Sequence, residues 1–209
     1  MTTTQAVRHT SVGQGVYRSW VVANELGLGM GMALFAAVAE GIERSGILGA
    51  PELGERVGHI IGLALAGAVF GLMQRHVLRR YMAVPSWMLL GTALGLMLGY
   101  ILGYELGGPP LDFVLAPALA GLFGGAQQWL ALRRLGAGSG WWPILCAFGF
   151  GIGGIAGTVV AILGLGDALG GSLAAWIILN GIVFGIAGTV GGAISGVLLR
   201  RLTANLDGA

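Results

Sequence analysis

Six stretches of the chain are apolar on every side and long enough to cross a bilayer, which takes about 20 residues. They fall at roughly 20–42, 57–78, 87–107, 111–132, 142–164 and 173–198. Runs that are apolar all round show no period, so length decides. Each is about twice a spanning barrel strand and none alternates, which predicts helices. Three of the runs end on one pattern: Leu78-Arg79-Arg80, Leu132-Arg133-Arg134 and Leu199-Arg200-Arg201 align. With them align Gln74, Gln128 and Ser195, and also Gly71, Gly125 and Gly192. Six residues then pass before Trp87 and Trp141, where new apolar runs begin. Such self-similarity predicts an internal repeat. The units are 20–80, 87–134 and 141–201, each a helical hairpin. The expected fold is an all-α integral membrane protein: six transmembrane helices, as three hairpin repeats, approximately threefold about the membrane normal. One membrane domain, 20–201, lies between polar tails at 1–19 and 202–209.

The turns differ between units. Unit one carries an amphipathic segment from about Arg44 to Arg56, unit two turns through Gly107-Gly108-Pro109-Pro110, and unit three has a glycine-rich loop from Gly164 to Ser172. Arg18, the run from Trp20 and Ala37-Val38-Ala39 would also suit a signal peptide, but the run is read as a retained span.

Composition strengthens the membrane reading. Of 209 residues 56% are apolar and only 10% charged, and the mean hydropathy of +0.84 is far above that of a soluble domain. All 11 basic residues are arginines, placed at the ends of apolar runs. They make no basic surface, so no nucleic-acid partner is expected. Nine of them (Arg8, Arg18, Arg75, Arg79, Arg80, Arg133, Arg134, Arg200 and Arg201) fall on one side of a six-span topology. Only Arg44 and Arg56 fall on the other, with Glu43, Glu52, Glu55, Glu105, Asp112 and Asp167. The positive-inside rule then puts both termini in the cytoplasm. Trp20, Trp87, Trp141, Trp142 and Trp129 are expected to form an aromatic belt at the inner interface.

Glycine accounts for 41 residues, and much of it recurs every four positions. Gly91, Gly95, Gly99, Gly103 and Gly107 run down the third helix; shorter stripes are Gly54 to Gly62, Gly149 to Gly157 and Gly188 to Gly196. Stripes of small residues let backbones approach closely in lipid. Packing within the chain accounts for most of them. Five in a row exceeds that need, so the third helix is the expected docking face for another subunit or a second copy.

Polar groups at membrane depth are functional candidates. Glu25 is an intramembrane acid about one turn inside the first span, open to a local pair with Arg18; Glu40 lies near the span's other end, beside Arg44. Gln74, Gln128 and Ser195, with Gln127 beside them, suggest a polar ring at the inner mouth of the threefold axis; hydrogen bonds between helices are the alternative. Asn180 is the most deeply placed amide, and a bond between helices suffices to explain it. His59 and His76 lie about 25 Å apart on one helix and cannot both ligate one haem. A single-ligand pigment at His59 is the alternative to an interfacial histidine. No other cofactor is expected, and the lone Cys146 rules out a cysteine metal site within one chain.

No nucleophile elbow, H-E-x-x-H or phosphate loop is present, and without lysine there is no retinal Schiff base. The protein is read as non-enzymatic. The segments GGAQQWLALRRLGAGSGWW and GLMQRHVLRRYMAVPSW resemble the repeated G-x-x-Q-W-L-x-L-R-R, spacer, W-W pattern of a group of uncharacterised bacterial multi-pass proteins. The first repeat has Arg75 in place of the pattern's Trp, and the third has Ser195-Gly196 for Gln-Trp. The resemblance implies the fold and a bacterial membrane and transfers no site residue. Two function classes follow: an accessory or scaffold subunit of a larger membrane complex docking through glycine-striped helices, or a small channel or carrier with a polar path along the axis.

Overall fold

The computed structural model describes residues 3–108, 111–133, 137–165 and 172–204, with side chains described over 14–108, 111–133, 139–163 and 172–203. The Pro109-Pro110 turn, Arg134, the loop at 166–171 with Asp167, the side chains of Arg8 and His9, and the last tail residues lie outside them. The described chain is all helical: α1 (Thr3–Ser45), α2 (Pro51–Leu78), α3 (Trp87–Gly107), α4 (Asp112–Leu132), α5 (Trp142–Val160) and α6 (Leu173–Ala204). A 3₁₀ turn, Ala137–Trp141, precedes α5, and a π-helical turn, Ala161–Leu165, ends it.

Among the described residues five helices are long and apolar enough to cross a membrane: those over Gln14–Ser45, Pro51–Leu78, Trp87–Gly107, Ser139–Leu163 and Leu173–Thr203. The protein is a multi-pass helical membrane protein. The sixth expected span, α4, is not among the five. It has 21 residues, about the 30 Å of a hydrocarbon core, but Asp112, Pro117, Gln127 and Gln128 dilute it.

Two boundaries depart from the sequence reading. The polar stretch expected as a tail is helical from Thr3, and it contains no proline to stop the helix; α1, at 43 residues, is about twice the thickness of the core. The segment Arg44 to Arg56 is no separate amphipathic element. Gly46 and Gly49, at φ +64° and +71°, make a turn that only glycine enters without strain, and Pro51 opens α2 at a position where its missing N–H costs nothing.

The helices form a closed ring in chain order, each packed on the next and α6 back on α1. Glycines and alanines line the contacts between helices, and many large apolar side chains face outward. On α3, Leu90, Leu94, Leu98 and Leu102 are 39–62% exposed, the reverse of a soluble bundle and the pattern that lipid favours. The opposite face of α3 lies on α4. A Cβ on Gly95 would come 2.6 Å from the Gly124 nitrogen; on Gly99 it would strike the Ala120 backbone, and on Gly103 the Ala116 backbone. Gly91 faces Gln127 and Gly107 faces Asp112. The groove expected to receive another subunit is therefore filled by α4 of the same chain. The other stripes meet neighbours in the same way: Gly58 and Gly62 on α1, Gly149 and Gly153 on α6, Gly188 and Gly192 on α1.

These contacts repeat in register. Within hairpins, Gly31 faces Ala66, Gly99 faces Ala120 and Gly153 faces Ala187. Between hairpins, Gly71 faces Leu89 and Thr92, Gly125 faces Pro143 and Cys146, and Gly192 faces Val21 and Asn24.

Candidate functional site

Two features lie inside the ring, one near each end. At the arginine end is a buried polar chain. Trp142 Nε1 donates to Gln128 Oε1 (2.9 Å), Gln128 Nε2 to Gln74 Oε1 (2.6 Å), Gln74 Nε2 to Asn24 Oδ1 (2.9 Å), and Asn24 Nδ2 to the Trp20 carbonyl (2.8 Å). Trp20 Nε1 donates to Ser195 Oγ (3.0 Å), which donates to the Gly191 carbonyl (2.8 Å). The two indoles meet edge to face at 5.5 Å. Every side chain in the chain is at most 2% exposed, so each buried donor needs its acceptor and the network holds five helices together.

The structure thus joins Gln74 to Gln128 directly and links Ser195 through Trp20. These are hydrogen bonds between helices, the alternative to a ring at the inner mouth, and Trp20 and Trp142 are buried among them. These tryptophans were expected in the interfacial belt, but both are fully buried; an indole N–H placed beside a hydroxyl (Trp20) or an amide oxygen (Trp142) is satisfied inside the bundle. Trp87 and Trp141, 43% and 63% exposed, do lie on the outer surface. Asn24 and Trp20 were missed as site residues, and their i, i+4 spacing opposite a glutamine was the available signal. On α3, Met88 takes the place of the tryptophan, and Thr92 Oγ1, one turn on, is buried without a partner among the described residues.

Next along the axis the core is apolar. Leu28, Phe70, Leu96, Tyr100 and Phe150 leave a void of only 20 Å³, and Phe70 packs edge-on against Phe150 at 5.7 Å.

At the other end is a cavity of 420 Å³ lined from all six helices, within the 300–1,000 Å³ or so of small-molecule sites. Aromatic walls come from Phe35, Tyr104, Phe113, Trp176 and Phe184. The polar groups are mostly acceptors. Glu43 has no ion pair among the described residues, while Glu40 holds Arg44 at 2.6 Å. His59 Nδ1 lies 2.8 Å from the Glu55 carbonyl and donates to it. Asn180 donates to the Trp176 carbonyl of its own helix, not to another helix as expected, and keeps Oδ1 as an acceptor. The π turn contributes Ala161 and Ile162; such turns gather at functional sites. Neither Arg44 nor Arg56 lines the cavity.

No family model, curated protein or solved structure matches the chain.

Glu25 belongs to neither feature. It is exposed on the bundle surface, without an ion pair to Arg18 among the described residues, in a cleft between α1 and α6 floored by Gly29, Gly181 and Gly185.

Proposed function

We propose that the protein is a small membrane carrier whose six helices are three hairpins related by an axis along the membrane normal, with the arginine end and both termini in the cytoplasm. The shared contact registers within and between hairpins support the repeat, as does the common role of Trp20 and Trp142, each donating to the polar residue of the preceding hairpin. The placement of α4 between α3 and α5 supports six crossings. The observation that carries the function is the cavity on the axis, lined from every helix and separated from the cytoplasmic end by an apolar plug and the polar chain.

The cavity's chemistry selects an organic cation. Five aromatic side chains line it and suit a positive charge, Glu43 supplies a carboxylate without an ion pair among the described residues, and the Asn180 amide oxygen presents an acceptor to N–H groups. Tetraphenylphosphonium and tetraphenylborate, matched in shape and opposite in charge, test this by calorimetry on detergent-purified protein. The cation is expected to bind at least about tenfold tighter, and Glu43→Gln to remove about tenfold from the cation alone. Trp176→Ala should weaken both ions. Equal binding of the two would contradict the reading. An accessory subunit, the other reading, has the cleft beside Glu25 as its docking groove, and on that reading neither ion would bind.

A further inference from the structure

We propose that a cleft at the arginine end, between α2, α4 and the turn that follows α2, binds the phosphate of an anionic phospholipid. The cleft has a volume of 510 Å³, and its basic wall is Arg75 and Arg79, one turn apart on the same face of α2. The Nε of Arg75 is buried and has no hydrogen-bond partner among the described residues. A buried guanidinium nitrogen without an acceptor is costly enough that native structures almost always supply one. Among the described residues no carboxylate lines this cleft, and the charged neighbour Arg80 is directed at His76 Nε2, 2.7 Å away. No described residue supplies that acceptor. Two guanidinium groups with no acid between them present a fork of N–H donors that matches a phosphate oxygen pair.

The surroundings choose a lipid over a soluble anion. Trp87, 43% exposed, forms one wall, and half-exposed tryptophan sits at headgroup level in a bilayer. Leu130, Ala131, Met82 and Val84 complete the cleft with apolar surface on which the start of an acyl chain lies. Basic pockets between helices at the cytoplasmic face are where anionic headgroups bind. This site lies outside the ring and is independent of the carrier reading.

The test uses the whole chain in a mild neutral detergent, with phosphatidylglycerol, phosphatidylcholine or inorganic phosphate added, read by melting temperature and by lipid retained in native mass spectrometry. Phosphatidylglycerol is expected to raise the melting temperature by a few degrees and to stay bound. Arg75→Gln should weaken its binding about tenfold, while Arg44→Gln at the opposite end leaves it unchanged. Arg79→Gln, at an exposed position where folding does not depend on the side chain, should weaken it as well. Equal stabilisation by phosphatidylcholine would overturn the proposal. So would the same shift from inorganic phosphate alone, which marks a soluble-anion site, or undiminished retention by both glutamine variants.

Discussion

Replacing Gly99 with alanine should destabilise the protein by about 3 kcal/mol or more, and Gly99→Leu should leave no folded protein to purify. The added Cβ would collide with the backbone nitrogen and Cα of Ala120. Backbone cannot rotate aside as a flexible side chain can, so α3 and α4 must separate. The separation is transmitted along the whole stripe, because Gly95 and Gly103 are also in close backbone contact, with Gly124 and Ala116. Gly41→Ala is the matched control, since a Cβ there meets nothing within 4 Å. The measurement is the fraction of each variant still monodisperse after heating in detergent. A Gly99→Ala variant as stable as Gly41→Ala would show that the two helices are not in this contact.

Gln128→Leu should have the next largest effect. Its amide joins Trp142 to Gln74, so the substitution removes two hydrogen bonds at once and leaves a buried indole N–H and a buried amide oxygen without partners. Bonds between helices in membranes contribute about 0.6 kcal/mol on average and up to about 1.7, while an orphaned buried group in a protein interior costs about 1–3 kcal/mol. A loss of about 2 kcal/mol of stability, seen as a lowered midpoint of unfolding by a harsh detergent, is expected. Thr189→Val, which removes only a bond to Gly185 of the same helix, should cost far less. If the two variants unfold together, the polar chain does not hold the ring.

What the sequence carried, and what it did not, follows from where the information lies. Helix positions were legible because run length and apolar content are local properties; five of the expected spans stand on them, and α4 falls short through Pro117 and its two glutamines. The glycine stripe on α3 announced a close backbone approach correctly in kind, but a missing side chain does not say whose backbone approaches, and the partner is α4. Gln74 and Gln128 were legible as a pair through their common offset from the arginines. Trp20 and Trp142 were not, because a tryptophan near the end of a span suits an interfacial belt as well as a buried donor. The cavity was invisible for a different reason: Glu43, His59, Tyr104, Phe113 and Trp176 lie on five different helices, and only the closure of the ring brings them together.

Carrier function requires that the buried chain at the arginine end opens to water at times when the cavity at the other end is closed. Single cysteines at Ser195 and Thr158, both nearly isosteric replacements, report on the two ends in a Cys146→Ala background. Ser195 is 1% exposed in the polar chain and Thr158 lines the cavity. With a membrane-impermeant thiol reagent, the Thr158→Cys variant is expected to react from the outside only. The Ser195→Cys variant should react slowly and from the cytoplasmic side only, at a rate that changes when tetraphenylphosphonium fills the cavity. A Ser195→Cys variant inert from both faces while Thr158→Cys reacts would show a dead-ended pocket and contradict transport.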